Sequence, residues 1–199
     1  MQPVRMSVWG GVIVSVLLVY GIGAQVYLGI RPDILSSLMK LAYVIEIILL
    51  AALALSGAFA SIHALYPDMY QRSWVAKLPF FILGILSLFL VYQGLMDNPS
   101  MDMAFLLHEN GAGMQCTLCI AALAIIPSAL LFAVLRKGAS THPLQAGLLA
   151  AMTAASIGCF VLRLEEQSDS TAHFIIWHYI PTLFFSGIGA GLGKLLLRW

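Results

Sequence analysis

The chain has 199 residues, 61% of them apolar and 10% charged, with a mean hydropathy of +0.94 and a formal net charge of +1. A soluble domain carries about 25% charged residues, so composition excludes a soluble enzyme, an extramembrane catalytic domain and a helix-turn-helix module. The net charge of +1 says nothing about a nucleic-acid partner, and no direct one is expected.

Six apolar stretches follow in order: 7–30, 41–62, 78–96, 115–135, 144–162 and 174–193. A helix of about 20 residues crosses about 30 Å of hydrocarbon, and each stretch is long enough. They are too long for barrel strands and do not alternate as such strands would. The expected fold is all-α, a single domain over 1–199 that forms a polytopic membrane protein of six transmembrane helices.

The first stretch exceeds the apolar region of a signal peptide and has no small-residue cleavage site after it, so it reads as a helix of the mature protein. The second carries Glu46, the only acidic or basic residue within the six stretches. A carboxylate at that depth is costly and usually paired. Arg163 and His178 are its candidate partners, and a structural ion pair is the expectation. The third stretch opens near Pro79 and holds Gln93, which is expected to tie helices together, as is Gln25 in the first.

The fourth stretch opens on Cys116-Thr-Leu-Cys119 and contains Pro127, which predicts a kink. The fifth ends near Cys159. The sixth holds His178 and Pro181, the latter predicting a second kink. It also carries two small-xxx-small pairs, Gly187 with Gly191 and Gly189 with Gly193. Such pairs let helices approach closely in lipid, either within the bundle or as a homodimer face on the sixth helix.

Basic residues orient the bundle. The two end segments and the connections 63–77 and 136–143 hold Arg5, Arg72, Lys77, Arg136, Lys137, Lys194 and Arg198. The other connections hold only Arg31, Lys40 and Arg163, among seven acids. Lys and Arg collect on the cytoplasmic side, so both termini are expected in the cytoplasm. Arg72, Lys77, Arg136, Lys137, Lys194 and Arg198 then form a basic face suited to an acidic partner.

This topology places Cys116, Cys119, Cys159, His108, His173 and His178 near the outer surface. Thiolates and imidazoles are ligands for soft and borderline metals, and a thiol at a helix N-terminus gains reactivity. These six residues are candidates for metal or redox sensing. Simple packing of the thiols and interfacial hydrogen bonding by the histidines are the plain alternatives. No cofactor is implied.

Several motifs in the second half stand in a particular order. Gly113-Met-Gln-Cys116 opens a helix with Pro127 further on, and Leu135-Arg-Lys-Gly-Ala139 forms a short basic turn before Pro143 and Ala146-Gly147. Glu165-Glu-Gln-Ser-Asp169 precedes His173-Phe174 and Trp177-His178, and the chain closes on Gly193-Lys-Leu-Leu-Leu-Arg-Trp199. Arg31-Pro-Asp33 and Glu46 match more loosely in the first half. In this order the motifs resemble the NrsF family, six-helix bacterial inner-membrane anti-sigma factors.

The resemblance implies a protein that sequesters an extracytoplasmic-function sigma factor at the cytoplasmic face and releases it on a metal or redox signal. Cys116 matches the family's first cysteine. The second falls at Leu164 in this sequence. Family members carry a longer segment before the first helix than the six residues here, so sigma contact is expected on 63–77, 136–143 and Lys194 to Trp199. Two other functions compete: a small membrane transporter or metal-handling protein, and a thiol oxidoreductase like DsbB. The latter resembles this chain only in Cys116-Thr-Leu-Cys119 and needs a second outer cysteine pair.

Overall fold

A computed structural model describes residues 6–66, 73–96, 110–138 and 140–197. In hydrocarbon no water can satisfy a backbone N–H or C=O, so a spanning segment becomes a helix. The described residues contain no strand. Their elements are α1 (Met6–Leu28), a short α2 (Ile34–Ser37), α3 (Leu41–His63), α4 (Ser73–Met96), α5 (Asn110–Leu135), α6 (Pro143–Glu165), a short α7 (Thr171–Phe174), a π turn (Ile175–Tyr179) and α8 (Ile180–Leu196).

Six of these units are long and apolar enough to cross a membrane: α1, α3, α4, α5, α6 and the composite of α7, π turn and α8. Large apolar side chains such as Val26, Leu35, Phe81, Ile125 and Leu195 are exposed around the bundle. Such a surface suits lipid and not water.

Helix α6 is the axis of the bundle. Its spanning window is 78% buried, against 11–44% for the other five, and it packs against α1, α3, α5 and α8, with α4 outside against α3. Its buried residues are mostly small, including Ala146, Gly147, Ala150, Ala154, Ala155, Ser156 and Gly158. Apolar side chains gain little by leaving lipid for one another, so close backbone approach has to hold the helices together.

Glycines mark the contacts. A Cβ on Gly57 of α3 would come 2.5 Å from Thr153 Oγ1, and one on Gly158 would come 3.0 Å from the Ile120 carbonyl of α5. On α8, a Cβ on Gly189 would meet the Gly147 carbonyl at 2.7 Å, and one on Gly193 would meet Gly147 Cα at 2.8 Å. The pair Gly189 and Gly193 is therefore used inside the chain. Gly187 and Gly191 have open space beside them among the described residues.

Two differences from the expected boundaries concern proline. Helix α4 starts at Ser73, so Pro79 lies inside it and not in its first turn. At Pro181 the distortion is a π turn immediately before it, with α8 beginning at Ile180.

The two ends of the bundle differ. At one end the turn after α3 meets the turn after α5, where a Cβ on Gly138 would come 2.6 Å from the Leu65 carbonyl. Lys77, Arg136, Lys137 and Lys194 are all exposed at this end, and Arg72 and Arg198 lie outside the described residues. At the other end α1 stops at Gly29, whose φ of +89° only glycine adopts without strain. That turn carries Arg31 into the connection between α6 and α7.

Candidate functional site

The connection after α6 gathers most of the polar chemistry of the bundle. Arg163, one turn before its start, is buried with Glu46 of α3. Its Nη2 and Nε donate to the same Glu46 oxygen at 2.8 and 3.0 Å, and the two side chains are 4% and 3% exposed. Gln93 of α4 donates to the other Glu46 oxygen at 3.2 Å, and Thr171 donates to Gln93 at 3.3 Å. Arg163 also donates to the Ser168 carbonyl at 2.6 Å. The expected ion pair of Glu46 is thus made with Arg163, and hydrogen bonds satisfy the rest of both groups, as a buried pair requires.

A second arginine anchors the same connection from α1. Arg31 is buried, and its backbone N–H donates to the Leu164 carbonyl at 3.0 Å. Its guanidinium pairs with Asp33 at 2.7 Å and with Asp169 at 2.9 Å, and Lys40 pairs with the other Asp169 oxygen. The Tyr43 ring receives both guanidiniums, Arg163 at 4.9 Å and Arg31 at 5.4 Å from its centroid. The Arg31 hydrogen bonds hold the Asp33 carboxyl at about 2. For Asp169, burial pushes the value up, but hydrogen bonds from Lys40 and Arg31 outweigh it and the net shift is down.

Between these anchors, four side chains converge. Glu166 follows directly on α6. Its Oε1 lies 2.7 Å from His173 Nε2, its Oε2 2.8 Å from His178 Nε2, and the Cys116 thiol donates to Oε1 at 3.7 Å. One candidate ligand atom from each of Cys116, Glu166, His173 and His178 lies within 4.8 Å of the other three. Burial works against ionisation of Glu166, but the two imidazoles at its oxygens outweigh that cost and hold its carboxyl below the usual carboxylate range.

The π turn builds this cluster. In an α-helix, residues five apart stand about 140° from each other around the axis. The wider π turn between His173 and His178 reduces that angle and presents both rings to Glu166. Their centroids are 5.5 Å apart. Ser170 caps the short α7 by accepting the His173 backbone N–H at 3.3 Å. Pro181 has no N–H to return to the Trp177 carbonyl, and Thr117 of α5 donates its hydroxyl there at 3.0 Å. Gly113 admits the Trp177 indole, which a Cβ would obstruct. Cys116 is thereby held against the histidines.

Of the six sensor candidates read from the sequence, Cys116, His173 and His178 belong to the cluster. The three cysteines are free thiols: Cys119 is exposed and Cys159 is buried in α6, and neither is part of the cluster. Cys119 stands only about 60° from Cys116 around α5, but it lies about 4.5 Å further along the axis, and its side chain is exposed. His108 lies outside the described residues. Glu166 is the member that residue-by-residue reading misses, because an acid in a polar connection looks like an ordinary solvated one. The available signal is its place directly after α6 with two histidines following.

A family model described as "NrsF: Negative regulator of sigma F" matches residues 2–199. No curated protein and no solved structure matched the chain.

Proposed function

The chain belongs to the NrsF family of negative regulators of sigma factor, and from that premise we propose that it is a membrane-embedded anti-sigma factor. It lies in the bacterial inner membrane with both termini in the cytoplasm. There it sequesters an extracytoplasmic-function sigma factor and releases it on a metal or redox signal received at the outer face. The match across residues 2–199 supports the sigma-regulator part of this reading.

The orientation is supported by the separation of charge. The end with Lys77, Arg136, Lys137 and Lys194 exposed is the basic end, as a cytoplasmic face should be. These four residues form the docking platform; Arg72 and Arg198, expected to belong to it from the sequence, lie outside the described residues. The opposite end carries the Cys116 cluster and is the signal-receiving face. A second copy would dock on α8 through Gly187 and Gly191, which have no neighbour within 4 Å of a Cβ among the described residues.

The experiment is co-purification from membranes with a candidate extracytoplasmic-function sigma factor co-expressed with this chain. Retention of the sigma factor, lost on charge reversal at the basic end, is the expected result. Failure of the intact protein to retain it overturns the proposal.

A further inference from the structure

We propose that Cys116, Glu166, His173 and His178 form a closed four-donor site for a borderline divalent cation of the Zn²⁺ or Cd²⁺ kind. This deepens the reading of the outer face as a sensor, since it names the ligand class and replaces a pair of thiols by one thiol with two imidazoles and a carboxylate.

Three observations carry it. The first is donor chemistry. One sulfur, two imidazole nitrogens and one carboxylate oxygen suit Zn²⁺ and its congeners, whereas Mg²⁺ and Ca²⁺ take oxygen donors. The second is spacing. Zn–N and Zn–O bonds of about 2.0–2.1 Å and a Zn–S bond of about 2.3 Å place tetrahedral ligand atoms about 3.3–3.6 Å apart. The four donors here already lie within 4.8 Å of one another, and the Glu166 carboxylate meets His173 at 2.7 Å and Cys116 at 3.7 Å through Oε1 and His178 at 2.8 Å through Oε2. Loading spreads the two shortest contacts and draws in the outermost donors, without moving a helix.

The third is His178. Its side chain is fully buried, its Nδ1 has no hydrogen-bond partner among the described residues, and its Nε2 meets Glu166 Oε2 at 2.8 Å. A buried imidazole is normally satisfied. Coordination through Nε2 would use the ring nitrogen that already faces Glu166, at the point where the other three donors meet. On binding, the Cys116 sulfhydryl proton leaves to solvent and both imidazoles coordinate in neutral form, so loading releases protons.

The site joins α5 through Cys116 to α6 through Glu166 and to the π turn through the histidines. Neither Cys119 nor Cys159 is needed.

The test is titration of the purified full chain in lipid nanodiscs with Co²⁺ as a spectroscopic stand-in, followed by displacement with Zn²⁺ and Cd²⁺. The expected result is one Co²⁺ per chain, with visible bands of tetrahedral intensity and a thiolate-to-metal charge-transfer band. Cys116→Ser abolishes the charge-transfer band, and His178→Gln weakens binding by about tenfold or more. Cys119→Ser leaves both unchanged. Circular dichroism and thermal melting of each variant identify any loss caused by misfolding, and Glu166→Gln supplies a further ligand variant if His178→Gln does not fold. A folded wild-type chain that shows no tetrahedral Co²⁺ spectrum, or a charge-transfer band that persists in Cys116→Ser, overturns the proposal. Sigma-factor release is measured separately: a chain that loads metal and never releases a sigma factor overturns the signalling reading and leaves the site standing.

Discussion

Arg163 places two guanidinium nitrogens on one oxygen of Glu46, across 117 residues of sequence and within the membrane-spanning part of the bundle. Removing one partner of such a pair leaves the other charge buried and unmatched, which costs about 3–5 kcal/mol. Glu46→Gln and Arg163→Met should each destabilise the bundle by that order. The double variant should recover most of the loss, because no buried charge remains. Unfolding in mixed micelles, read as a double-mutant cycle, checks this.

Thr117→Val should cost about 0.5–1.5 kcal/mol, the net worth of a typical hydrogen bond, since the Trp177 carbonyl is partly buried. The acceptor is the Trp177 carbonyl, to which Pro181 has no N–H to return. In a Pro181→Ala background the same substitution should cost less, since a backbone N–H becomes available. Equal costs in the two backgrounds would separate Thr117 from the proline.

The glycines of α8 should divide into two classes. Alanine at Gly189 or Gly193 forces α8 away from Gly147 and should destabilise by about 1–3 kcal/mol, the usual cost of overpacking. Alanine at Gly187 or Gly191 meets open space and should leave the stability of the single chain unchanged or slightly raised. Loss of cysteine crosslinking between copies in Gly187→Ala, with single-chain stability intact, would identify the dimer face. Unfolding curves and crosslinking yields give the two readings.

Acid should loosen the Arg31 anchor. Asp33 is held at about 2 against an ordinary 3.8, and Asp169 is also depressed. A lowered folded-state value contributes stability above the ordinary carboxylate range and loses it as pH falls toward the folded value. Amide protection over residues 31–40, corrected for intrinsic exchange, should be constant above pH 5 or so and fall between about 4 and 2. Asp33→Asn should flatten part of that fall.

Reversing Lys77 and Arg136 to glutamate should weaken sigma-factor binding. Exposed charges are screened over about 8–10 Å at physiological salt. Wild-type affinity should therefore drop as salt rises, and the double variant should be both weaker and less sensitive to salt. Binding measured at several ionic strengths separates a docking platform from residues that only set orientation.

The six spans are legible from sequence because about 20 apolar residues have few other fates. The Glu46 partner is legible too: a carboxylate at that depth demands a cation, and few are at its level. The π turn is not, because an apolar segment around Trp177-His178 reads the same at 3.6 or at a wider residue period. Without that turn the shared face of His173 and His178 does not emerge, and Glu166 looks like any acid in a polar connection. The division of the α8 glycines is equally hidden. Both pairs have the same spacing, and only the rotation of α8 against Gly147 distinguishes them.

The central position of α6 also bears on how the protein is made. Chains emerge from the ribosome N-terminus first, so α6 enters the bilayer before α8 exists. Until then the face holding Gly147 and Ala151 is open to lipid, and the end of α6 lacks the α7 segment whose Phe174 ring lies 5.4 Å from the Arg163 guanidinium. Newly inserted chains should therefore pass through a stage in which five spans are threaded and the seam is still open. A chaperone or quality-control protease would find its target there, and completion of the last helix would end that exposure.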